Sequence, residues 1–190
     1  MASIKVAGLD LSAKENRCSG YSVIDVVSKT ILDVECLYND SEILNNVLKD
    51  KIKVLAIDSP LMAKPSMRMV DRKALSLGFK VFPPSFKYMR DLTLRAWKLY
   101  RILSGQGIEV IETHPRSAII NSGLRDLEDL VARVGLKISN SIDLDQIYGK
   151  KDLIDAIVSS IVAYCFYLKL CIDVIEDVDG KIYLISNMGS

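Results

Sequence analysis

Three separate apolar runs in this sequence each close on a carboxylate, and that pattern narrows the folds open to the chain. Residues 4–11 read Ile-Lys-Val-Ala-Gly-Leu-Asp-Leu around Asp10, residues 53–58 carry Val54-Leu55-Ala56-Ile57 into Asp58, and residues 108–112 end in Glu112. A short, continuously apolar run suits a strand covered on both faces, as in a parallel sheet. Residues 20–26 and 30–37 read as two further strands close behind the first, joined by links short enough for antiparallel hairpins. The expected sheet is therefore mixed, with an antiparallel meander first and parallel strands after it.

Helices are expected over 41–48 with Asp40 as N-cap, over 89–103 closed by Gly105 and Gly107, over 124–134, and over 151–170. Pro115 is placed to open a helix at its first position. Residues 172–186 read as a C-terminal hairpin turning at Asp179-Gly180. With 190 residues and no internal repeat or low-complexity linker, residues 1–190 are expected to form one domain. Apolar residues at 49% and charged residues at 26% argue against disorder. Asp155 and Lys169 interrupt the greasiest stretch, so no membrane span is expected, and the start of the chain shows no signal peptide.

If the first, fourth and fifth strands are parallel neighbours, Asp10, Asp58 and Glu112 share the carboxyl edge of the sheet, where open α/β sheets bind ligands. Carboxylates that close together call for a counter-ion. Oxygen-only donors favour Mg²⁺ or Mn²⁺. The last helix adds Asp152 and Asp155, three apart on one face, with Asp155 set among Leu153, Ile154, Ala156, Ile157 and Val158. The single histidine, His114, excludes a histidine-rich metal site and stands two residues past Glu112 as a candidate proton shuttle.

The pieces Gly8-Leu9-Asp10, Ala56-Ile57-Asp58-Ser59-Pro60, Pro83-Pro84-Ser85-Phe86, Glu112-Thr113-His114-Pro115 and Lys151-Asp152-Leu153-Ile154-Asp155-Ala156 occur in this order. Together they resemble the family of predicted nucleases catalogued as domain of unknown function 429, over residues 4–171. The resemblance implies a ribonuclease H-like fold: a mixed five-stranded α/β sheet of order 3-2-1-4-5 flanked by helices, here followed by the hairpin. It implies a pair of metal ions held by Asp10, Asp58 and Asp155, with Glu112 or Asp152 completing the shell. The paired acids Asp152 and Asp155 also resemble those on the last helix of Holliday-junction-resolving nucleases. A nuclease is the function so implied. The alternatives are a nucleotide-binding phosphotransferase of actin-like fold, which shares the strand order, and a non-catalytic binding protein that keeps the fold.

Net charge is +1, yet between positions 64 and 101 ten basic residues face only Asp71 and Asp91. Residues 59–88, broken by Pro60, Pro65, Pro83 and Pro84, are expected to form an irregular basic lid over the acid edge. Lys64, Arg68, Arg72, Lys73 and Lys87 are its candidate substrate-binding residues, with Arg116 at a helix start as another. Phe82, Phe86, Tyr88 and Trp97 are interleaved with them, and cations for phosphates with aromatics for bases are what nucleic acid requires. In the 89–103 helix, Leu94, Trp97 and Tyr100 are expected to face the core. Cys18, Cys36, Cys165 and Cys171 show no metal or redox spacing and are expected to be reduced, in a cytoplasmic protein. Few glutamines and many isoleucines hint at a thermophilic source.

Overall fold

The computed structural model describes residues 3–84 and 86–189, so Ser85 of the Pro83-Pro84-Ser85-Phe86 motif and the first two residues of the expected leaderless start lie outside the described residues. Strands β1 (Lys5–Asp10), β2 (Ser19–Asp25) and β3 (Thr30–Leu37) form the antiparallel meander, and β4 (Val54–Asp58) and β5 (Glu109–Thr113) run parallel to β1. The expected 3-2-1-4-5 order is present at the centre of a wider, eight-stranded sheet. At one edge β6 (Lys137–Ile138) lies parallel to β3. At the other, the hairpin of β7 (Ile172–Asp177) and β8 (Gly180–Ile185) joins β5 through one pair, Thr113 with Tyr183.

Side chains alternate across the sheet. Ala7, Leu9, Leu55 and Ile57 pack with residues of α1 (Asp40–Lys49) and α3 (Lys87–Gly105), whereas Val6 and Ala56 join the core built on α7 (Lys151–Leu168). The α7 helix lies directly on the strands because two facing positions carry no side chain. A Cβ at Gly8 would overlap the backbone of Ser159, Ser160 and Ala156, and one at Gly20 would overlap the carbonyl of Asp152. Glycine is required there by the close approach of two backbones. The Ser22 and Ser160 hydroxyls meet at 3.1 Å in the same contact.

Several expectations change. The helix cap of α1 is Asn39, whose side chain accepts from the Glu42 N–H at 2.9 Å; Asp40 instead receives Arg95 Nε at 2.8 Å and Lys98 Nζ at 2.9 Å. Arg95 also donates to the Ser12 carbonyl at 2.6 Å, tying the turn after Asp10 to α3. On α3 the core positions are Leu92, Ala96, Leu99 and Leu103, while Leu94 is exposed and Trp97 stacks on Tyr100 half-buried. The expected irregular lid contains a helix, α2 (Met69–Ser76), docked on the hairpin. Its first N–H groups, on Met69 and Val70, donate to Asp179 at 2.6 and 3.1 Å.

The cysteines are not free. Cys18 bonds Cys36 and Cys165 bonds Cys171. The β2–β3 register sets Gly20 opposite Cys36 and so brings Cys18 within reach across the strands. The turn after α7 folds Cys171 back to Cys165, with Cα atoms 5.2 Å apart. Three further helices, α4 (Pro115–Ser122), α5 (Leu127–Val134) and α6 (Leu144–Tyr148), complete the chain, with Pro115 at the first turn of α4 as expected.

Candidate active site

The parallel pairing of β1 with β4 aligns Leu9 with Ile57, so the acids that follow, Asp10 and Asp58, come side by side at the carboxyl edge. Leu9 and Ile57 face α3, and alternation therefore turns both acids toward α7. There the helix presents Asp155, its side chain 13% exposed, and the exposed Asp152. Burial, and then the negative charges of Asp155 and Asp152, push Asp10 up to about 7; Lys151 offsets part of this. Asp58 is likewise raised well above the ordinary carboxylate range, by burial and then by Asp10 and Asp155. These two acids, with Asp155 and Asp152 in range, form a negative focus.

Glu112 does not join them. It is level with Ile57 in the β4–β5 register, one step short of Asp58, and so projects on the α3 face. There it borders a cavity of about 300 Å³ with Leu61, Trp97 and Tyr100. Arg68 grips it with Nη1 to Oε2 at 2.8 Å and Nη2 to Oε1 at 2.5 Å, and the Leu61 N–H donates at 2.9 Å. Burial still raises Glu112, with Arg68 and the Leu61 amide opposing it. Arg68 is itself buried and shared with Asp71, 2.7 Å away. The expectation of Arg68 on a substrate-facing lid is thus corrected: the arginine is consumed in a buried triad that pins the segment after Asp58 to β5.

The other candidates divide. Lys64, Arg72, Lys87 and Arg116 are exposed. Lys73 is exposed too, but its ammonium donates to the Glu176 carbonyl at 2.8 Å, on the hairpin side. Phe82, Phe86 and Tyr88 are all more than half exposed, an arrangement that burial of a core does not explain. His114 caps the start of α4, its Nδ1 2.6 Å from the Ser117 hydroxyl. Burial and then the charges of Arg116 and Lys151 lower it to about 4, so the ring is neutral at neutral pH.

Lys151, which sequence reasoning quoted but did not assign, touches the acids directly: Nζ is 3.0 Å from Asp155 Oδ2. The i,i+4 spacing of the two residues was the available signal. The oxygen donors Asp10, Asp58 and Asp155 have the chemistry of a hard divalent site. As placed, however, no three acid, histidine or cysteine side chains among the described residues converge into a ready ligand set. The expected set of Asp10, Asp58 and Asp155, completed by Glu112 or Asp152, is therefore not assembled as placed. Glu112 is on the other face, Asp152 is exposed, and Asp155 is engaged by an ammonium. The adjacent Asp10 and Asp58, offset only in part by Lys151, still fit a cation.

A mixed sheet of central order 3-2-1-4-5, with a late helix laid across its first strand, defines the ribonuclease H-like class of fold. Two solved structures are similar to this chain over 87% of its length. T. thermophilus RuvC in complex with Holliday junction substrate matches at TM-score 0.54 with 13% identity over 96% of its own chain, and Thermus thermophilus RuvC matches at 0.53 with 15% identity over 97%. At such identities the likeness is one of fold. No family model and no curated protein matches the sequence.

Proposed function

We propose that this protein is a divalent-metal-dependent nuclease of the ribonuclease H-like class, within the predicted-nuclease family that its motifs resemble. The observation that carries the reading is the adjacent pair Asp10 and Asp58 at the ends of β1 and β4, turned toward α7 and both raised by burial and then by nearby acids, Asp155 acting on each. Mg²⁺ or Mn²⁺, when bound, activates a water and stabilises the leaving oxygen of a phosphodiester. Asp10 and Asp58 would hold such an ion, with Asp155 as third donor and Asp152 at the solvent side. Lys64, Arg72, Lys87 and Arg116 would meet phosphates, and Phe82, Phe86 and Tyr88 would stack unpaired bases. His114, neutral and oriented by Ser117, would accept a proton at its free Nε2.

Nucleic acid is the proposed partner. Branched DNA belongs in the test because one similar structure holds a Holliday junction. Among the described residues no helix is long and apolar enough to cross a membrane. We place the protein in the cytoplasm of a thermophile, where intracellular disulfides persist. The test is cleavage of single-stranded, double-stranded and branched DNA and RNA with each metal. Metal-dependent cleavage by the wild type, lost in Asp10→Asn with the fold retained, is expected. Absence of cleavage together with absence of divalent-ion binding by calorimetry would falsify the reading.

A further inference from the structure

We propose that Lys151 is the resident cation of the acid centre, holding Asp155 in a charge-balanced arrangement and competing with a divalent ion for that carboxylate. The inference rests on the nuclease reading above and concerns how its metal centre is regulated. Nζ of Lys151 lies 3.0 Å from Asp155 Oδ2, and its charge reaches Asp10 and Asp58 as the positive influence that opposes their mutual repulsion. The buried cation Arg68 is committed to Glu112 and Asp71.

Helix stability does not explain a lysine at this position. Lys151 is the first residue of α7, where a cation opposes the helix dipole. It also precedes its acid by four residues, the less favourable order for an i,i+4 pair. The dipole disfavours the lysine and the pair in this order offsets little of that, so the benefit lies in the acids it faces. The lysine side chain is 81% exposed. It can withdraw into solvent without moving the backbone, leaving Asp155 free to complete a ligand set with Asp10 and Asp58.

The experiment compares wild type, Lys151→Met and Lys151→Arg by Mn²⁺ titration in a calorimeter and by thermal unfolding with and without Mn²⁺. A unit charge a few ångströms from a divalent ion predicts about tenfold tighter Mn²⁺ binding in the Met variant. Its metal-free form should melt lower than wild type and gain more from Mn²⁺, while the Arg variant follows wild type. An ordinary surface pair would change neither quantity. Wild type and Met variant binding Mn²⁺ equally would overturn the role of Lys151 and leave the nuclease reading standing. Neither protein binding Mn²⁺ would overturn both.

Discussion

Asp10 shows how much a single side chain is strained by its neighbours. Burial and the charges of Asp155 and Asp152 push it up to about 7, against an ordinary aspartate value near 3.8. Between those values the folded chain keeps a proton that the unfolded chain has released. Stability of the metal-free protein therefore falls as pH rises through that window. Asp10→Asn removes the titration and keeps the shape. In the presence of a chelator the variant should melt at or above wild type at pH 8, and the difference should shrink toward pH 4, as read by scanning calorimetry. A variant that melts well below wild type at pH 8 contradicts the repulsion. Asp10 and Asp58 were legible because each closes an apolar run, and strand ends are where a sheet leaves polar groups room. Glu112 closes a run equally well. Its displacement to the other face follows from one step of strand register, which the sequence of β5 alone does not encode.

At the scale of elements, the segment expected to be a loose lid is partly built into the fold. Val70 and Ala74 of α2 are buried, Asp179 of the hairpin receives its first amides, and Arg68 binds it to Glu112 of β5. Arg68→Met would leave Glu112 and Asp71 buried without their cation. Breaking a buried pair from one side costs about 3–5 kcal/mol, so denaturant unfolding should show a loss of that order. Adding Glu112→Gln to the same chain should recover part of it, because the remaining partner no longer carries a charge. The helix was hidden from sequence reasoning because its first amides are capped in part by Asp179, a residue 110 positions from Met69, beyond the local contact of Arg68 with Asp71. The two-residue β6 was hidden for a similar reason, since its pairing depends on the exposed edge of β3. The central strands depended on no such distant partner. Their apolar runs and short links were sufficient for the antiparallel meander and the parallel strands after it, while the order 3-2-1-4-5 was what the family resemblance implied.

Across the whole molecule, the two disulfides close opposite ends of the α7 side: Cys18–Cys36 at the carboxyl edge of β1, Cys165–Cys171 at the far end of the helix. Spacing of 18 and 6 residues gave no sign of this, because partner choice follows from sheet register and from the chain's return after α7. Reduction should destabilise the protein by about 2–4 kcal/mol through the longer loop, with less from the shorter one. Thermal unfolding with and without dithiothreitol measures it, and an unchanged midpoint with verified reduction would rule out a structural role. The contact of α7 with Gly8 and Gly20 has a consequence of a different kind. Two backbones in direct touch leave no spacer between the helix that carries Asp155 and the strand that carries Asp10. Elsewhere in a core, drift from valine to isoleucine or alanine re-seats a helix by fractions of an ångström. Here there is nothing to trim and no room to add, so the separation of the acids is insulated from the sequence drift that reshapes the rest of the molecule. Descendants of this chain can vary their reach and selectivity through the loops while inheriting one fixed gauge for the acids.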